Sequence, residues 1–142
     1  MARIIPFKND HLDVMEIRDH ERQILSDESH RAMLSSCPIS CTGIEGGRII
    51  CCGGVIPFLS GNAVIWLVPS VYITQYQKTF QKELQKWLFQ VREDLALQRM
   101  ETECVADELH DRWMTYLGFT KEGTKKKYFN GVDYNVWGRI WE

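Results

Sequence analysis

The stretch Asp107-Glu-Leu-His-Asp-Arg-Trp-Met-Thr-Tyr-Leu-Gly-Phe119 decides how this chain of 142 residues is interpreted. Gly118 follows the last of four apolar residues at helical spacing, which are Leu109, Trp113, Met114 and Leu117. A glycine directly after such a periodic segment commonly ends a helix. The stretch therefore predicts a short helix that stops at Gly118.

The residues after this helix predict a strand, a tight turn and a last strand. The segment passes through Thr120-Lys-Glu-Gly123 and closes with Trp137-Gly-Arg-Ile-Trp141. Asn130-Gly131 is a strong two-residue hairpin signal, because both residues tolerate a positive φ. The sequence thus predicts a terminal hairpin that joins 124–129 to 132–141.

Upstream of this segment, the pattern predicts a parallel strand–helix–strand unit. Ala63 to Val68 reads as a strand that stops at Pro69, and Glu101 to Ala106 as a second strand. Gln77 to Leu97 is an amphipathic helix with an apolar stripe. Such a unit is a right-handed crossover.

The amino-terminal half predicts short helices and a meander of strands. Arg3 to Phe7 reads as a first strand, and Asn9 or Asp10 then begins a helix through about His20. A second helix covers 27–34. A strand that starts near Cys41 enters a Glu-Gly-Gly turn, and Arg48 to Phe58 forms a long apolar strand.

Composition predicts one domain, residues 1–142, that is soluble and cytoplasmic. The chain is 44% apolar and 25% charged, and it contains nothing close to a membrane span. Its net charge is −2, and its one basic run is Lys125-Lys126-Lys127. This balance disfavours nucleic acid as a partner, and three lysines on a strand more often protect a sheet edge.

Five cysteines, an odd number, lack the paired spacing of a zinc site. We therefore expect reduced thiols and no metal. Cys51 and Cys52 lie within an apolar strand, which predicts burial. Cys37 and Cys41 bracket Pro38 in a predicted loop, so one of them is a candidate reactive thiol.

The carboxy-terminal run Leu117-Gly118-Phe119, followed by Glu122-Gly123, resembles that of the GNAT acyltransferases. The order of predicted elements is similar to the whole GNAT fold, an α/β (α+β) mixed sheet of six to seven strands with a central crossover helix and a terminal hairpin. Within this superfamily, His110-x-Arg112-Trp113-Met114 with the Leu-Gly-Phe run looks like small GNAT-like internal virion or early proteins of podovirus-type bacteriophages.

The resemblance implies acetyl-CoA, or another acyl-CoA, as acyl donor and an amine as acceptor. It places the pantetheine arm along Leu67, Val68 and Ser70, beside Trp66. It places the pyrophosphate at the loop Val71–Gln77, where Thr74, Gln75 and Lys78 offer polar groups. This loop lacks the glycines of the family pattern, which normally let the backbone approach phosphates closely.

His110 and Tyr116 are the candidate catalytic residues, His110 as an acid or a base and Tyr116 as an acid. Met114 occupies the position where the resemblance places a tyrosine, and Tyr116 lies about 200° around the helix from it. A packing role for His110 is the alternative. Two functions stay open: a phage-encoded acyltransferase, and an inactive GNAT-like protein that binds a host protein or serves in the virion. Whether the protein forms a homodimer is also open.

Overall fold

The computed structural model describes residues 3–141, and in this range seven strands form one sheet in the order β1-β2-β3-β4-β5-β7-β6. The strands are β1 (Arg3–Pro6), β2 (Ile39–Glu45), β3 (Arg48–Phe58), β4 (Asn62–Pro69), β5 (Arg99–Val105), β6 (Thr120–Phe129) and β7 (Val132–Ile140). The helices of the described chain are α1 (His11–Val14), α2 (Asp19–Leu25), α3 (Glu28–Ser35), α4 (Gln77–Leu95) and α5 (Glu108–Tyr116).

The sheet is mixed, as predicted. β4 and β5 pair in parallel, whereas β1 with β2, β2 with β3, β5 with β7 and β6 with β7 pair antiparallel. The crossover helix α4 connects the two parallel strands. The predicted fold class, a mixed α/β sheet with a crossover helix and a terminal hairpin, is confirmed.

The first predicted helix is wrong in its extent. Instead of running to about His20, α1 ends at Val14, and the backbone is extended at Met15, with ψ of 149°. The Arg22 guanidinium of α2 donates to the Leu12 carbonyl at 3.2 Å and to the Met15 carbonyl at 2.9 Å. Arg22 thus satisfies carbonyls at the end of α1. The helix that carries it, α2, was not predicted from the sequence.

The chain divides into two compact units, with boundaries inside β3, β4 and α4. One unit comprises the described residues up to Ile56 together with Trp66–Lys86. Its core is a cluster of buried side chains from α1, α2, α3, β3, β4 and the residues that follow α1 and α3: Leu12, Met15, Leu25, Leu34, Cys37, Cys52, Trp66 and Val68. Full burial of each large apolar side chain contributes about 1.5–3 kcal/mol.

The other unit comprises Pro57–Ile65 and the described residues from Trp87 onward. Its buried side chains include Ala63, Met100, Trp113, Met114, Phe119 and Trp137. The terminal hairpin turns at Asn130 and Gly131, with φ of 50° and 75°, as predicted. The single domain of residues 1–142 stays a prediction. No helix in residues 3–141 is long and apolar enough to cross a membrane.

Candidate functional site

Strand β4 is the element on which the candidate cofactor site depends. Its parallel ladder with β5 consists of three residue pairs, Asn62 with Arg99 through Val64 with Glu101. β4 itself continues for five residues, to Pro69. Along this continuation, the described residues form no further ladder pair on the edge of β4 opposite β3.

The peptide groups of β4 alternate between its two edges. The Ser70 N–H donates to the Ile50 carbonyl of β3 at 2.8 Å, so it is already used within the protein. Residues two apart share an edge, and the Val68 N–H therefore also faces β3. The Leu67 N–H faces the opposite edge, and Pro69, next on that edge, has no N–H.

This alternation narrows the predicted pantetheine edge. Of Leu67, Val68 and Ser70, only Leu67 directs its N–H away from β3. The placement of Pro69 has the same explanation, because a proline is tolerated in a strand where its missing N–H would have had no partner strand.

Trp66 lies in a packed position rather than beside an open cleft. Its side chain is 8% exposed, and its ring meets Phe7 edge-on with centroids 5.3 Å apart. It also covers Gly54 of β3, where a Cβ atom would collide with the indole ring. The indole Nε1 is buried without a hydrogen-bond partner. Gly54, within the apolar run of β3, thus makes room for the indole ring of Trp66.

Most backbone amides of the candidate phosphate loop, residues 71–76, donate hydrogen bonds to acceptors within the protein. The Val71 N–H donates to the Glu16 carbonyl at 2.8 Å, and the Tyr72 N–H donates to Ser70 Oγ at 3.2 Å. The Ile73 N–H donates to the Ser70 carbonyl at 3.3 Å, and the Gln75 N–H donates to the Tyr72 carbonyl at 3.0 Å. Four amides of the loop are therefore used within the protein.

Side chains hold the same loop in place. Ile73 is 1% exposed and anchors it in the interior. Arg48 lies 4.2 Å from the centroid of the Tyr72 ring, and a hydrogen bond to Glu16 raises the pKa of the Tyr72 hydroxyl above its usual value. The Tyr76 hydroxyl sits over Gly46 in the β2–β3 turn, 2.6 Å from where a Cβ would stand.

The first turn of α4 is the remaining source of backbone donors. The Phe80 N–H donates to the Tyr76 carbonyl at 3.0 Å, which makes Tyr76 the residue before the helix. The N–H groups of Gln77, Lys78 and Thr79 therefore have no acceptor within the helix. The predicted polar residues Thr74, Gln75 and Lys78 are all exposed.

His110 is held by a carboxylate at the start of α5. The side chain of Asp107 accepts the His110 backbone N–H at 2.8 Å, and its Oδ1 lies 2.7 Å from His110 Nδ1. His110 is 6% exposed and meets Trp113 edge-on. The carboxylate favours the tautomer with the proton on Nδ1, which leaves Nε2 as an acceptor.

Tyr116 contrasts with His110 in its exposure. It ends α5 and is 48% exposed, whereas Met114, at the position where the resemblance places a tyrosine, is 7% exposed. The structure thus places one candidate catalytic residue in a packed environment and the other at the surface of α5.

The cysteines carry no reactive site of the predicted kind. All five are free, and Cys51 and Cys52 are buried as predicted. Cys41 lies in β2 rather than in a loop, and burial raises the pKa of its thiol to about 11, which contradicts its assignment as a reactive thiol. Cys37 is buried, with Sγ 3.1 Å from the Val55 carbonyl. Residues 3–141 contain no group of three metal-ligating side chains.

Solved structures share this architecture over its whole length. Ard1 from Thermoplasma volcanium matches with a TM-score of 0.76 at 12% identity, covering 99% of this chain and 98% of that one. A GNAT-family acetyltransferase from Bacillus anthracis gives a TM-score of 0.68 at 13% identity, with coverage of 98% and 94%. The ribosomal-protein-S5-alanine acetyltransferase from Vibrio fischeri gives 0.64 at 18%, with coverage of 98% and 92%.

No family model and no curated protein matches the sequence. Because the identities are far below 25%, the structural likeness concerns the fold, and the chain has the GNAT fold.

Proposed function

We propose that this chain is an N-acyltransferase that moves an acyl group from a coenzyme A type thioester to an amine. The observation that carries the proposal is β4, which extends five residues past its last pair with β5 and directs the Leu67 N–H to that unpaired edge. An extended ligand with amide groups binds such an edge as an added strand does.

The residues present fit the pantetheine arm better than the nucleotide. The Leu67 N–H and the carbonyls of Ile65 and Leu67 would hold its amides along β4. The remaining donors for a phosphate are the first N–H groups of α4 and the side chains of Thr74, Gln75 and Lys78. The loop amides before Gln77 are largely used within the protein.

The transfer forms a bond from the acceptor nitrogen to the acyl carbon while the carbon–sulfur bond breaks. One proton leaves the amine, and one reaches the sulfur. We propose that His110, oriented by Asp107, takes the first proton and that Tyr116 supplies the second. The acceptor class is an amine of a small molecule or of a protein.

The test is titration of the purified protein with acetyl-CoA by calorimetry, together with thiol release in the presence of spermidine or a peptide with a free amino terminus. We expect binding, and we expect Leu67→Pro to weaken it at least tenfold while Leu67→Ala, which keeps the N–H, has a smaller effect. His110→Ala and Tyr116→Phe should lower kcat if their roles are as proposed. No binding and no thiol release at millimolar acetyl-CoA would refute the transferase.

A second candidate is a non-catalytic protein that uses the same fold to bind another protein. The closed, glycine-free loop at 71–76 favours it, because a loop held by its own side chains needs no ligand to order it. The resemblance to phage proteins makes a host protein in the host cytoplasm, or a virion component, the proposed partner. Retention of a host protein by a chain that fails the acetyl-CoA titration would favour this function, and light scattering would test the homodimer.

A further inference from the structure

We propose that the acyl donor is recognised through its pantetheine arm, and that the adenosine nucleotide of coenzyme A contributes little to binding. This inference rests on the proposed transferase function. It names the donor class as pantetheine thioesters, whether the arm belongs to coenzyme A or is attached through its phosphate to a carrier protein.

The first support is the contrast between the two halves of the candidate site. The β4 edge keeps the groups that an amide-containing arm needs, since Leu67 presents its N–H there and the ladder with β5 has ended at Val64. The loop after β4 shows the reverse. The amides of Val71, Tyr72, Ile73 and Gln75 all donate to acceptors in the protein.

The second support is that the loop cannot rearrange cheaply to release these amides. Ile73 would leave a site where it is 1% exposed, at a cost of about 1.5–3 kcal/mol for a large apolar side chain. Tyr72 would lose its hydrogen bond to Glu16 and its contact with the Arg48 guanidinium. Tyr76 would lose its packing against Gly46. Three neighbouring anchors, none of them glycine, therefore oppose a phosphate-binding conformation.

The third support is the size of the expected effect. A hydrogen bond from a backbone amide to a charged phosphate is worth roughly tenfold to a hundredfold in affinity. A loop that donates several such bonds would make the nucleotide dominate donor binding. Without them, the first N–H groups of α4 and the exposed Lys78 are left, and a single charge in contact with water contributes little.

The experiment compares three donors with the same amine acceptor: acetyl-CoA, S-acetylpantetheine, and a carrier protein bearing an acetylated phosphopantetheine arm. We expect kcat/KM for S-acetylpantetheine to lie within tenfold of that for acetyl-CoA. We also expect adenosine 3′,5′-bisphosphate at millimolar concentration not to inhibit. A preference for acetyl-CoA greater than tenfold, or inhibition by the bisphosphate, would overturn the inference and leave the transferase standing.

Two variants sharpen the comparison. Lys78→Ala should change kcat/KM for acetyl-CoA and for S-acetylpantetheine equally, as should its control Lys82→Ala one turn later on α4. A loss confined to acetyl-CoA in Lys78→Ala would show nucleotide recognition and contradict the proposal. Turnover with none of the three donors would instead refute the proposed transferase. A higher kcat/KM with the carrier than with acetyl-CoA would identify the carrier as the donor's source.

Discussion

At the scale of single residues, Gly118 is a position where the backbone conformation favours glycine. Its φ is 86°, and it follows α5 in a Schellman motif, in which two backbone hydrogen bonds close the end of the helix. The Phe119 N–H donates to the Met114 carbonyl at 2.9 Å, and the Gly118 N–H donates to the Thr115 carbonyl at 3.1 Å. The Arg139 guanidinium lies against the glycine and donates to the Leu117 carbonyl at 2.8 Å.

We expect Gly118→Ala to lower the free energy of unfolding by at least ~1–2 kcal/mol, because an L side chain is strained in the left-handed region. A Cβ there would also stand 3.1 Å from Arg139 Cζ. The measurement is urea unfolding at neutral pH. Gly123→Ala is the control, since nothing lies within 4 Å of a Cβ at that exposed position. Equal stability of the two variants would contradict this account of Gly118.

At the scale of elements, α3 and α5 begin in the same way. Asp27 accepts the His30 backbone N–H at 2.8 Å, and Asp107 accepts that of His110 at the same distance. Both tetrapeptides, Asp27-Glu-Ser-His30 and Asp107-Glu-Leu-His110, share one pattern. The Asp-x-x-His geometry is therefore a helix cap in both places. Catalysis by His110 requires a role beyond that cap.

We expect Asp107→Ala to destabilise the protein more than Asp27→Ala. Loss of an aspartate cap costs about 1 kcal/mol in either helix. Asp107→Ala also removes the partner of the His110 ring, which is 6% exposed, and an unsatisfied buried group costs about 1–3 kcal/mol more. Thermal or urea unfolding of the two variants decides the matter, and equal losses would mean that the Asp107–His110 contact adds nothing to the cap.

At the scale of the whole molecule, buried or half-buried thiols occur in both compact units and link stability to pH. Burial raises the pKa of Cys41 and of Cys52 to about 11, and that of Cys104 to about 12. Burial also raises the pKa of Cys51 well above its usual value. In the unfolded chain these thiols ionise near pH 9, whereas the folded protein keeps them protonated.

We therefore expect the free energy of unfolding to fall as pH rises from about 9 towards 11, because the unfolded state binds fewer protons there. Each fully buried thiol contributes a slope of ~1 kcal/mol per pH unit. Cys52→Ala should show a shallower decline than the parent over this range in urea unfolding. Its stability at pH 7 measures the packing effect separately. An unchanged slope would exclude Cys52 as a source of the alkaline loss.

Local signals in the sequence determined most of the elements. Four features depend on interactions within a few residues and could therefore be predicted without the fold. They are the apolar stripe of α4, the Asn130-Gly131 turn, the glycine at the end of α5 and the apolar run of β3. The prediction of a helix through His20 was wrong, because the end of α1 depends on Arg22. The Arg22 guanidinium, seven residues beyond Met15, donates hydrogen bonds to the Leu12 and Met15 carbonyls.

Tertiary structure decided which groups of the candidate site are available. From the sequence, Leu67, Val68 and Ser70 were equal candidates for binding the pantetheine arm. Pairing with β3 uses the N–H groups on one edge of β4, and of the three residues only Leu67 directs its N–H to the other edge. The absence of glycine in 71–77 was visible from the sequence. That the Val71 amide donates to the Glu16 carbonyl was not, because this acceptor lies in a distant segment that only the fold brings to the loop.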